Sequence, residues 1–183
     1  FIGALVTSTN TVGSVSVFTA TSTVIRGEPQ LLGSISAPGV SGVSPRVGVA
    51  INAPSSTWIG SPTPTKSIQW YSCAEELEAS DQLSASCVEV DGATGTSFVP
   101  TVQEVDRYMM VRVVGANSLS SIYRYSPTGA IVQEAPNFLV DPVLVGGRLS
   151  GDELTFDELF TRGSPVPAAT YAWYRCDTAI AAV

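Results

Sequence analysis

The stretch Lys66-Ser-Ile-Gln-Trp-Tyr-Ser-Cys73 decides the fold. Ile68, Trp70 and Ser72 fall on one face and Gln69 and Tyr71 on the other, the period of two expected of a β-strand. Its lead-in, Ser61-Pro-Thr-Pro, carries turn residues. The whole block recurs: Ser61 to Cys73 aligns on Ser164-Pro-Val-Pro-Ala-Ala-Thr-Tyr-Ala-Trp-Tyr-Arg-Cys176, an offset of 103. S-P-x-P and W-Y-x-C are shared by both copies.

A second alignment extends the repeat. Phe1-Ile-Gly-Ala-Leu-Val-Thr-Ser-Thr-Asn10 runs without gaps on Tyr108-Met-Met-Val-Arg-Val-Val-Gly-Ala-Asn117, an offset of 107. It continues through Ser14 on Ser121 and Pro29 on Pro136. The period is therefore about 105 residues, the size of a domain and far beyond a solenoid repeat. The phase predicts closing strands of one unit over 1–27, a complete unit over 28–133, and opening strands of another over 134–183. Both ends are expected to be cut from a longer chain.

Within the complete unit, short strands are predicted at Gln30–Ser36, Arg46–Asn52, Lys66–Cys73, Cys87–Val90, Thr96–Thr101, Tyr108–Val114 and Ser121–Tyr125. Val47, Val49 and Ile51 alternate with Gly48 and Ala50, as in a half-buried strand. Pro54-Ser-Ser, Gly60-Ser-Pro-Thr-Pro and Gly115-Ala-Asn117 mark turns. Ala74-Glu-Glu-Leu-Glu-Ala79 reads either as a turn of helix or as a solvated acidic loop. Short strands spaced by turn signals predict a β-sandwich. Trp70 on the third strand, and Asp106-Arg-Tyr108 placed as in a tyrosine corner, sharpen this to an immunoglobulin-like sandwich. Trp70, Tyr108 and the repeated Trp173 form its predicted core signature. Val and Met stand where antibody domains carry the inter-sheet disulfide.

Trp70, Tyr71, Cys73, Cys87, the stretch Asp91 to Pro100, Asp106, Tyr108 to Val113 and Asn117 together give a pattern. It resembles the tandem Ig-like repeats of long secreted or wall-associated proteins of actinobacteria and related bacteria. That resemblance implies an all-β, surface-exposed chain of tandem immunoglobulin-like domains, here one complete and two partial.

Composition narrows the chemistry. The 183 residues hold no histidine, so His-based triads and zinc sites are excluded within the chain. A net charge of −7, with Lys66 as the single lysine, argues against a nucleic-acid or anionic-membrane surface. No apolar run approaches a membrane span, and Phe1 to Val6 lacks a basic n-region. Of the three cysteines, Cys73 and Cys87 are either buried free thiols or a pair. As a disulfide they would close a loop of about 15 residues, worth roughly 3 kcal/mol, and would imply an oxidising, extracellular compartment. Cys176 would then be the first half of a pair completed beyond Val183.

The acidic groups Glu75, Glu76, Glu78, Asp81 and Asp152, Glu153, Asp157, Glu158 suggest calcium only weakly, because no DxDxDG loop exists. Solvated loops are the plainer expectation. Trp58, Tyr71 and Tyr174 are candidates for an aromatic surface that binds sugars, with Tyr71 facing outwards. No cofactor and no catalytic residue is expected. The composition fits a non-catalytic structural segment of an extracellular or cell-surface protein, such as a stalk, fibre, sheath or surface layer. Its partners would be neighbouring Ig-like repeats of the same or adjacent chains. The alternatives are an adhesin or carbohydrate-binding repeat, or a virion decoration module. Pairing of the partial units across neighbouring chains by strand complementation is a further expectation.

Overall fold

The computed structural model describes residues 1–40, 43–147, 149–157 and 159–178. The chain is all-β and consists of several antiparallel sheets, an arrangement consistent with a β-sandwich. Its strands are β1 (Leu5–Thr9), β2 (Ser14–Phe18), β3 (Gly27–Leu32), β4 (Ile51–Asn52), β5 (Thr57–Ser61), β6 (Thr65–Cys73) and β7 (Cys87–Glu89). There follow β8 (Ser97–Phe98), β9 (Tyr108–Ala116), β10 (Ser121–Tyr125), β11 (Glu134–Phe138), β12 (Leu144–Gly146), β13 (Leu154–Phe156) and β14 (Thr161–Ser164). A 3-10 turn at Val102–Glu104 is closed by a capping box between Thr101 and Glu104.

The centre is a four-stranded antiparallel sheet in the order β10-β9-β6-β7. β6 and β9 pair over their full length, from Thr65 opposite Ala116 to Cys73 opposite Tyr108. The register sets Trp70 against Val111 and Ile68 against Val113. This face packs on a second layer that supplies Ile35, Ile51, Leu31 from β3, Trp58 from β5 and Phe98 from β8. Trp70 is fully buried; its ring lies 5.6 Å from Phe98, and Nε1 donates to the Gly95 carbonyl at 2.8 Å. The indole thus buries a large apolar surface without orphaning its one donor.

The repeat reappears as backbone geometry. β1 pairs with β2 from Leu5 opposite Phe18 to Thr9 opposite Ser14. β9 pairs with β10 from Arg112 opposite Tyr125 to Ala116 opposite Ser121, the same register displaced by 107. Both turns are built by asparagine: Asn10 Oδ1 accepts from the N–H groups of Val12 and Gly13, and Asn117 Oδ1 from those of Leu119 and Ser120. Likewise β3–β5 and β11–β14 are antiparallel pairs, each with a register irregularity near its start. Both end on a cis bond, Ser61–Pro62 and Ser164–Pro165.

Several strand boundaries differ from expectation. Over Arg46–Asn52 only Ile51 and Asn52 are in a strand; Val47 and Gly48 form a turn, with Gly48 at φ 78°. The alternation there arises from a left-handed glycine turn, which forces the chain to double back. Thr57–Ser61, placed by sequence between loops, is β5. The predicted strand Thr96–Thr101 shrinks to Ser97–Phe98, because Thr101 begins the capped turn. Gly115 and Ala116 remain within β9, and the turn is Asn117 to Ser120.

β5 explains Gly115. A Cβ at that position would lie 2.3 Å from the Trp58 ring, so only glycine lets the indole lie flat on β9. Gly115→Ala is expected to destabilise by about 1–3 kcal/mol in urea unfolding. In a Trp58→Ala background the same change should cost much less, and equal costs in both backgrounds would refute the contact.

Candidate functional site

The opposite face of the central sheet is also buried. Tyr71, Cys73, Cys87, Met110 and Tyr125 form a second cluster, with Leu77 and Tyr108 packed against it. Its cover is the loop 74–86, held in three places. At its base, Cys73 and Cys87 stand directly opposite in the β6–β7 register and are joined by a disulfide, with Cα atoms 4.0 Å apart. In its middle, Leu77 N–H donates to Thr128 Oγ1 at 3.0 Å, and Thr128 N–H returns to the Leu77 carbonyl at 2.9 Å. Further on, Ser80 and Tyr125 exchange backbone hydrogen bonds of 3.2 and 2.8 Å.

This loop contains no helix. Leu77 is half-buried over the cluster while Glu75, Glu76 and Glu78 point to solvent. Among the described residues, no three His, Cys, Asp or Glu side chains converge as metal ligands. Glu158 of the second acidic group lies outside the described residues, as do 179–183.

Tyr71 organises the cluster. Its ring meets Tyr125 edge-on at 5.5 Å, and Tyr125 meets Tyr123 in the same way at 5.8 Å. The Arg112 guanidinium sits 5.8 Å above the Tyr71 ring, a cation–π contact. The Tyr71 hydroxyl donates to Glu89 Oε2 at 3.1 Å. Burial, and then the bond to Glu89, push the Tyr71 hydroxyl well above the ordinary phenol range, although Arg112 pulls it down. The phenol therefore remains a proton-bearing donor, unsuited to general-base work near neutrality. Beside the loop is a cleft of about 380 Å³, lined by Ile35, Ser80, Asp81, Arg124 and Tyr125.

The sequence-predicted residues divide between these two faces. Trp70 anchors the inter-sheet core as expected. Tyr108 does not join it; as the residue opposite Cys73, it packs on the other face with Tyr71. Tyr71 does face away from Trp70, but at 1% exposure it offers no outer surface, because loop 74–86 covers it. Trp58 is half-buried against Gly115, its Nε1 donating to Ser56 Oγ at 3.2 Å. The aromatic sugar platform of Trp58, Tyr71 and Tyr174 is thus not assembled. Trp173 is 58% exposed, resting 5.2 Å from Phe156 instead of in a core. The segment 165–178 has no strand partner among the described residues, whereas β6 is paired on both sides.

Sequence reasoning missed Arg112, Glu89, Tyr125 and Thr128. Three of them were within reach: once β6 and β9 are set in register, Arg112 lies opposite Gln69 and Tyr125 opposite Arg112, on the Tyr71 side. Thr128 had no such signal, because it acts through a loop.

No family model matches the sequence, and no curated protein matches it.

Two outcomes follow from this face. Replacing both cysteines with alanine should cost about 3 kcal/mol in chemical unfolding. It should also speed amide exchange at Ser80 and Thr128, and unchanged exchange there would mean that the loop is held without the disulfide. In an alkaline titration followed at 295 nm, Tyr71 should ionise after the other tyrosines. Its folded pKa lies above the free value of 10.0, so its stabilising effect is complete below that pH and is lost as pH rises further. Tyr71→Phe should remove the late phase.

Proposed function

We propose that this chain is a structural segment of a long extracellular or cell-surface protein, built from tandem Ig-like β-sandwich units. On this reading, 28–133 is a complete unit, 1–27 closes the unit before it, and 134–183 opens the one after. The role is to give length and stiffness to a stalk, fibre, sheath or surface layer, without catalysis.

The observation that carries the reading is the recurrence of the β9–β10 hairpin as β1–β2, in the same register and with the same asparagine turn. Identical hairpins one domain length apart are what serial units require. The extracellular part rests on the Cys73–Cys87 disulfide, since such bonds persist in oxidising compartments. No helix among the described residues is long and apolar enough to cross a membrane.

Successive units are also tied together. Ser164, in the third stretch, donates to the Asp106 carboxylate in the second. The Ala130–Gln133 stretch bonds back to Pro45, Val47 and Arg107 before continuing into β11. Such ties limit bending at a joint, which suits a rod better than a flexible string.

Non-reducing peptide mapping of the native protein tests the compartment. A linked Cys73–Cys87 peptide pair is expected, and free thiols at both positions would remove the extracellular reading.

A further inference from the structure

We propose that the free edge of β1 is a docking edge for residues 168–176 of a second copy of this chain. The two would pair antiparallel, from Ala168 opposite Thr9 to Cys176 opposite Phe1. This rests on the repeat reading above and adds a partner and a register to it.

The template lies inside the molecule. β1–β2 reproduces β9–β10 beyond the strand register. Ala4 N–H donates to Thr19 Oγ1 and Val111 N–H to Ser126 Oγ, while Thr19 N–H reaches the Ala4 carbonyl as Ser126 N–H reaches that of Val111. The other edge of β9 is filled by β6, register for register from Thr65 to Cys73. The same edge of β1 has no strand on it among the described residues. The counterpart of β6, at the offset of 103, is 168–176, which is exposed and unpaired there.

The two edges match chemically. From Phe1 to Ile25 there is no charged side chain and no proline, and 168–174 is likewise free of both. Natural edge strands are usually blunted by lysine, proline or inward charges. β1 has none of these, and Ile2, Leu5, Val6, Val17 and Phe18 are all exposed around it. In the composite, Ile2, Ala4 and Val6 take the places of Met109, Val111 and Val113, and Tyr171 and Trp173 those of Ile68 and Trp70. A bulkier Tyr171 would stand in the layer where Ala4 is smaller than Val111.

One substitution pair is more telling. Gly115 is required because Trp58 lies on it. At the corresponding positions stand Ser8 and Thr161. Where the covering side chain is a threonine instead of an indole, the strand beneath carries a Cβ. The two surfaces are therefore adjusted to one another in the pairing that joins residues 1–9 to 134–176. Only the counterparts of the short strands β7 and β8 are absent from this composite.

The edge and the inserted segment are different surfaces, so the contact is heterologous. It adds copies in a row without closing a two-fold dimer. Light scattering after gel filtration, over a concentration series, should show mass rising through multiples of 19.1 kDa. Val6→Lys should hold the protein at the single-chain mass with the same unfolding midpoint. With the native Cys176 as the second thiol, Phe1→Cys should give a ladder of disulfide-linked chains on mild oxidation. Phe18→Cys, on β2, should not. A single-chain mass at every concentration, or equal ladders from both cysteine variants, would overturn the pairing. Neither result bears on the Cys73–Cys87 mapping that tests the scaffold reading.

Discussion

The long antiparallel ladder between β6 and β9 is the interaction on which the rest depends. It aligns nine positions on each strand, and both of its faces are dry. A strand buried on one side only would show Ile68 and Trp70 inside and Gln69 and Tyr71 in water. Here Ile68 through Cys73 is buried without a break. The polar members survive burial because each has a partner. Gln69 Nε2 donates to the Val90 carbonyl at 2.7 Å, and Ser72 Oγ accepts from Arg107 Nε at 2.6 Å. Two separate covers are thus recruited to one ladder: the second sheet over Trp70, and the disulfide-held loop over Tyr71.

That double burial marks where the sequence was legible and where it was not. The repeat exposed the hairpins, since a displaced copy of a register needs only alignment. Trp70 and the cysteine pair were legible for similar reasons, one by its place in the pattern and the other by loop length. The burial of Tyr71 was not. Its cover is Ala74-Glu-Glu-Leu-Glu-Ala79, which reads as a solvated acidic run and is solvated along its carboxylates. Only Leu77 and the backbone face inwards, and the docking bonds come from Thr128, 51 residues away. Local pattern carries no trace of a contact at that distance. The failure at Arg46–Asn52 has the opposite origin: alternation was present, but Gly48 in a left-handed conformation turned it into a bend.

Asparagine has two tasks at the end of β9. Asn117 Oδ1 shapes the hairpin turn, while Nδ2 reaches the Gly27 carbonyl at 2.8 Å and that of Pro62 at 3.0 Å. One amide therefore fixes the last hairpin of the central unit to its first strand, 90 residues earlier. Asn10 builds the same turn, and its Nδ2 makes no such long-range bond among the described residues. The turn is thus a local property of the sequence, whereas the clasp requires the opening strands of the same sandwich to lie alongside.

The same distinction separates Trp70 from Trp173. Both stand in W-Y-x-C with a cis-proline turn ahead of them, and both turns form. Only Trp70 is buried, because only its strand has a ladder partner. The motif therefore encodes a strand that is ready to be covered, and not a core by itself. Burying an indole contributes on the order of 1.5–3 kcal/mol once the covering layers are present. The same residue left in water contributes nothing to the fold and instead adds apolar surface that favours association. A chain of such units gains stability at each joint where the next ladder closes, so its strength is set by how completely each strand finds its partner.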